Sequence, residues 1–124
     1  MERPTTTASL EATEAECAAG RTAPRVSLDD IKANIAGQLT FTAGNAASAL
    51  GAPASPSLDL LTICVLELRN GFTIIGKSAP ASPANFDAEL GAKLAYEDAV
   101  RQIWPLMGYA LRDRLFERGE QAVG

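Results

Sequence analysis

The chain has 124 residues, 47% hydrophobic and 21% charged, with a net charge of −4 and no histidine. That length holds one domain, which buries roughly two thirds of its unfolded surface. The acidic balance excludes a protein that gains its affinity by neutralising many duplex-DNA phosphates. The missing histidine removes the Ser/His and Cys/His nucleophile pairs and the commonest metal ligand.

Residues 1–24 are rich in Thr, Ala, Glu and Pro, with Leu10 the one large aliphatic residue after Met1. Such a segment buries too little to offset its ordering entropy, and it reads as a flexible tail ahead of a single domain spanning 25–124. A second reading is a short helix over "SLEATEAECAAG", capped by Ser9 and stopped by Gly20. The segment has neither the basic nor the apolar region of a secretory signal, and no run of about 18 apolar residues follows it. A cytoplasmic protein with no membrane contact and reduced Cys17 and Cys64 is therefore expected.

At "VSLDDIKANIAGQL" Ser27 is an N-cap, Asp29 and Asp30 suit the first turn, and Gly37 closes a helix of about ten residues. "QLTFTA" (38–43) alternates and predicts a short strand. "GNAASALGAPASPS" (44–57) is small, Pro-containing and nearly uncharged, which predicts a surface loop or lid.

In "LDLLTICVLELRNGFTIIGKSA" two β-rich runs flank Asn70-Gly71, a two-residue type I′ hairpin signal. That turn sets Arg69 opposite Phe72, Glu67 opposite Ile74 and Val65 opposite Gly76. The other face then carries Leu68/Thr73, Leu66/Ile75 and Cys64/Lys77. From Ser82 onward Phe86, Leu90 and Leu94 recur at spacing four, Ala95, Ala99 and Ile103 form an adjacent row, and Val100, Trp104, Met107, Leu111 and Leu115 continue the stripe. Pro105 costs about 3 kcal/mol inside a helix, so two helices are expected, about 84–103 and 105–118, meeting at a bend. The fold class is α+β: a short N-terminal helix, an antiparallel meander with an Asn-Gly hairpin, and two C-terminal helices bent at Pro105.

"RNGFTIIGKSAPASPANFDAELGAKLAYEDAVRQIWPLMGYALRDRL" resembles a family of small bacteriophage proteins. The family is named after the gene-forty-nine product of a coliphage and the gene-sixty-six product of a Shigella phage. The shared elements are the "NGF" hairpin, "SPANFD", the "G-x-K-x-A-Y-E" helix and "IWPLMGYALR". The layout is also similar to the first described type of phage anti-Thoeris sponge. Those proteins are oligomers that sequester cyclic ADP-ribose signals and the cyclic oligonucleotides of CBASS defence, with an aromatic residue stacked on a base and helix arginines on the phosphates. The resemblance implies these roles for Phe86 and for Arg114 with Arg118, and it sets Asp98 where a sponge amide contacts its ligand.

On their own physics, Arg114 and Arg118 share a helix face one turn apart, and such a pair clamps a phosphate without a Gly-rich loop. Arg112 points elsewhere, although it would lie close to any partner subunit. The plain alternative is a solvated basic last turn pairing with Asp113 and Glu117. Phe86 begins an apolar stripe, so core packing stands beside base stacking; Trp104, Tyr96 and Tyr109 read as packing.

No CxxC, HExxH or clustered carboxylate loop occurs, so no catalytic residue, metal or cofactor is expected and the chain reads as a non-enzyme. The sponge resemblance implies sequestration of a nucleotide messenger at an interface of a homo-oligomer, dimer-based and up to a hexamer. The alternative is a module that binds a host or phage protein.

Overall fold

The computed structural model describes residues 9–20 and 23–119. The order is α1 (Leu10–Ala18), α2 (Leu28–Ala33), β1 (Ile35–Thr42), α3 (Ala43–Leu50), β2 (Thr62–Leu68), β3 (Thr73–Ser78) and α4 (Ala88–Glu117), with 3₁₀ turns at Leu58–Leu60 and Pro83–Asn85. The strands form one antiparallel sheet in the order β1-β2-β3. This is the α+β architecture that the sequence predicts, with three local corrections.

The first correction is the helix at 44–57. Thr42 accepts from the N–H of Asn45, and the Asn45 side chain accepts from the N–H of Thr42, so a capping box starts α3 directly off β1. Gly51, at φ +71, ends it in the left-handed conformation. No lid occupies the first half of that segment. The preceding helix is correspondingly short: α2 stops at Ala33, Asn34 caps it, and Gly37 lies at a bulge where β1 meets β2.

The second correction is the hairpin register. Leu68 N–H donates to Phe72 O and Gly71 N–H to Leu68 O, so Arg69, Asn70 and Gly71 form a three-residue loop. Gly71 at φ +91 makes it a type I turn with a bulge in place of type I′. The pairs become Glu67↔Thr73, Leu66↔Ile74, Val65↔Ile75 and Cys64↔Gly76. A slip of one residue exchanges faces. Leu68, Leu66, Cys64, Ile74 and Gly76 turn inward, whereas Val65, Glu67, Thr73, Ile75 and Lys77 turn out.

The third correction is α4, a single helix that contains Pro105. The lost hydrogen bond costs about 3 kcal/mol. Both flanks are tied down: Val100 and Ile103 are fully buried before it, Trp104 Nε1 donates to Val26 O at 3.1 Å, and Met107 packs on the core. Burying a large apolar side chain contributes about 1.5–3 kcal/mol, so these anchors outweigh the proline. Pro105 itself is exposed.

α4 lies across β2 and β3 and runs parallel to β2, Gly91 beside Thr62 at one end and Met107 beside Leu68 at the other. The row facing the sheet is Ala95, Ala99, Val100 and Ile103; the Leu90/Leu94 stripe is left largely in solvent. Gly76 explains the choice. A Cβ there would overlap the Ala95 carbonyl oxygen and the Ala99 nitrogen and lie 2.8 Å from the Ala99 Cβ, so helix backbone rests directly on the strand.

α1 closes one end of the core. It is the capped helix of the second reading, with Ser9 accepting from Ala12 N–H and Leu10 buried; residues 1–8 and 21–22 of the expected tail lie outside the described residues. Glu14 receives two hydrogen bonds from Arg25, at 2.7 and 3.1 Å, and one from Leu28 N–H, which fastens α1 to the start of α2.

Candidate functional site

The candidate residues fall into three places, one just before α4 and two along it. Phe86 follows the Pro83–Asn85 turn, its N–H donating to Pro83 O, and Asp87 then caps the helix by accepting from Leu90 N–H. Phe86 is half-buried and lines a small hollow of about 90 Å³ with Ser78, Pro80, Leu90, Gly91 and Leu94. Beneath it, Thr62 is 3% exposed and its hydroxyl has no hydrogen-bond partner; it sits 2.8 Å from where a Cβ on Gly91 would lie.

Asp98 is in the middle of the helix, and its position is structural. Its Oδ2 accepts from Lys77 N–H at 3.0 Å, and one turn on, Gln102 Nε2 donates to Ile75 O at 2.7 Å. In β3 the residues 73, 75 and 77 direct their backbone groups away from β2, because Leu68 and Phe72 face one another across the hairpin. Asp98 and Gln102 therefore meet outward-facing groups of an edge strand, which blunts that edge. Sequence reading passed over Gln102, although its spacing of four from Asp98 places the two on one helix face.

Arg112, Arg114 and Arg118 are all exposed at the far end of α4. Arg118 caps the helix, its N–H donating to Arg114 O at 3.1 Å, so the two guanidinium stems leave the same face one turn apart. At 1.5 Å rise per residue, Arg114 lies about 40 Å along the axis from Phe86. A single copy does not bring the arginines and the aromatic ring together.

Other reactive groups are quiet. Burial pushes the Cys64 thiol above its ordinary value, and a hydrogen bond with Thr40 only partly opposes this, which disfavours the thiolate. Among the described residues no group of three or more Cys, Asp or Glu is placed to hold a metal ion, and no helix is long and apolar enough to cross a membrane.

The model of the phage protein (N4 Gp49/phage Sf6 gene 66) family matches residues 26–115. The chain belongs to this family. The match spans α2 to the last turns of α4, so the sheet, the edge-sealing Asp98 and Gln102, and Phe86, Arg112 and Arg114 all lie within the shared region, whereas Arg118 lies just beyond it. Neither a curated protein nor a solved structure matches the chain.

Proposed function

We propose that this phage protein binds and sequesters an anionic cyclic nucleotide, of the cyclic ADP-ribose or cyclic oligonucleotide type used in bacterial immunity, without cleaving it, in the cytoplasm of the host. The observation that carries the reading is the arginine pair Arg114/Arg118, exposed one turn apart at the end of α4, with an aromatic ring at a hollow beside the start of that helix. Guanidinium forks hold phosphate oxygens in bidentate fashion, and a base stacked on an aromatic ring contributes about 1–3 kcal/mol. A nanomolar sponge needs about 12 kcal/mol, so both features must act on one ligand. Their separation along α4 requires a neighbouring copy to supply one half, which is why the reading includes a homo-oligomer.

Titration of the purified protein with glycocyclic ADP-ribose and with cyclic dinucleotides, followed by recovery of the ligand after heating, tests this. The expected result is micromolar or tighter binding, loss of at least tenfold in affinity in Arg114→Ala/Arg118→Ala, an unchanged melting temperature of that unliganded variant, and release of intact ligand. No micromolar binding to any of them overturns it, and release of a cleaved product turns the reading into an enzyme.

A second reading, a module for a host or phage protein, is favoured by the outer face of the sheet beyond α3, where Leu39 and Ile75 are about 60% exposed. It predicts one stable protein partner in a pull-down and no nucleotide-dependent rise in melting temperature.

A further inference from the structure

We propose that β1 is the strand through which two copies of this chain join, antiparallel and edge to edge, into one six-stranded sheet. The proposal rests on the reading above only in requiring two copies, and it names the surface on which they meet.

The two edges of the sheet are treated oppositely. On β3 the outward N–H of Lys77 and the outward C=O of Ile75 are taken by Asp98 and Gln102. α4 packs chiefly on β2 and β3, while β1 is met by its sequence neighbours α2 and α3. On β1 the residues facing β2 are 39 and 41, so Gln38 and Thr40 direct their N–H and C=O groups outward. No described residue donates to or accepts from those four groups, and the side chains of Gln38, Leu39 and Thr40 are exposed. The open stretch is bounded. On one side Thr42 N–H is already taken by Asn45, and on the other the bulge between Ile35 and Gly37 breaks the ladder. What remains is a window of three residues, Gln38-Leu39-Thr40.

That window matches itself. Place Leu39 opposite Leu39 of the second copy, and Gln38 faces the copy's Thr40 in a hydrogen-bonded pair, twice over. Each of the four open groups then meets its complement, giving four ladder hydrogen bonds across the two-fold axis. The inner face sets the Gln38 amide against the Thr40 hydroxyl, a cross-strand polar pair. The outer face sets Leu39 against Leu39 at the close, non-hydrogen-bonded spacing. Leu39 also continues a cross-strand row with Val65 and Ile75, which the second copy would double in length. An open apolar hollow between the sheet and α3, lined by Leu39, Phe41, Ala46, Ala49 and Leu50, receives the copy's leucine alongside.

Charge favours a second copy as occupant. A two-fold contact sets every group beside its own duplicate, which penalises any charge near the axis in a chain of net charge −4. All of β1, "IAGQLTFT", is uncharged. A charged foreign peptide would find no counter-charge there. Leaving such an edge unprotected by lysine, proline or a covering element is otherwise a liability.

The test is sedimentation velocity of the full chain across a concentration series, with backbone hydrogen exchange. Leu39→Asp and Leu39→Lys each place like charges face to face at the axis while altering a side chain that is 61% exposed, so circular dichroism should show both variants folded. The expected result is a wild-type dimer with the amides of 38 and 40 protected, each variant weakened at least tenfold, and a dimer restored on mixing the two. A monomeric wild type, or a dimer indifferent to both substitutions with 38 and 40 exchanging freely, overturns the proposal. Nucleotide titration of the same samples separates the two readings, because a β1 dimer that ignores nucleotides sinks the sponge alone, and a nucleotide-binding protein that ignores Leu39→Asp sinks this interface alone.

Discussion

From Ala95 to Ile103, α4 sets Ala95, Ala99, Val100 and Ile103 against the sheet with no exposure at all, whereas from Leu106 to Phe116 it carries Leu106, Tyr109 and Phe116 at 45–71% exposure. The two stretches belong to one helix and differ little in helix propensity. What separates them is the sheet, which ends near Leu68 and Phe72, beside Leu106 and Met107. The first stretch holds the fold; the second keeps only one face, with Met107 and Leu111, toward the core and the segment before α2, and its other faces run out with the arginines, open to a partner or ligand.

The largest effect that would break this contrast is at Ile103. Ile103→Ala should cost about 2–5 kcal/mol in denaturant unfolding, because it leaves a void in a closed core, while Leu106→Ala should change stability by less than about 1 kcal/mol. Equal costs at the two positions would mean that the second stretch is also packed. Glycines sharpen the same point with opposite signs. Gly76→Ala should destabilise by about 1–3 kcal/mol, since its methyl has no room against helix backbone, whereas Gly108→Ala, with nothing near its Cβ direction, should stabilise by about 0.5–1 kcal/mol.

A smaller change is expected where α4 seals the edge of β3. Asp98→Ala removes the acceptor of Lys77 N–H and should cost about 1 kcal/mol, since water replaces it at this partly exposed site. If Asp98 instead served a ligand, stability would be untouched and affinity would fall.

The smallest effect concerns α1. The hydrogen bonds from the Arg25 side chain hold the Glu14 carboxyl below its ordinary value of 4.5, with desolvation opposing and the Leu28 N–H assisting. A carboxylate depressed in the folded state stabilises above its unfolded pKa and loses that contribution as pH falls through the folded value. The docking of α1 should therefore weaken below about pH 4.5, and Glu14→Gln should abolish that pH dependence in hydrogen exchange of α1.

Much of the fold was legible because it depends on local chemistry. Ser27 caps α2 with Asp29 and Asp30 in its first turn, as read from the sequence, and Asn70-Gly71 marks the hairpin. The register was not legible, because a glycine after asparagine serves a bulged three-residue loop as well as a two-residue turn, and only the long-range packing of Gly76 on α4 decides between them. Pro105 misled for a similar reason: its cost is local, while the anchors that overrule it, Val26 and the core around Ile103, are remote in sequence. α3 was hidden in a run of Ala, Gly, Ser and Asn whose capping box uses Asn45 where Glu or Gln is usual. For the candidate site, the arginine face followed from spacing alone, but the role of Asp98 needed a strand edge that no spacing reveals.

Trp104 is the one tryptophan of the chain, and its indole N–H is bonded to Val26, in the segment between α1 and α2. Nature has thus installed a fluorophore at the seam between the N-terminal helices and the long helix. Its emission colour reads out directly whether that seam is shut, without any label being added.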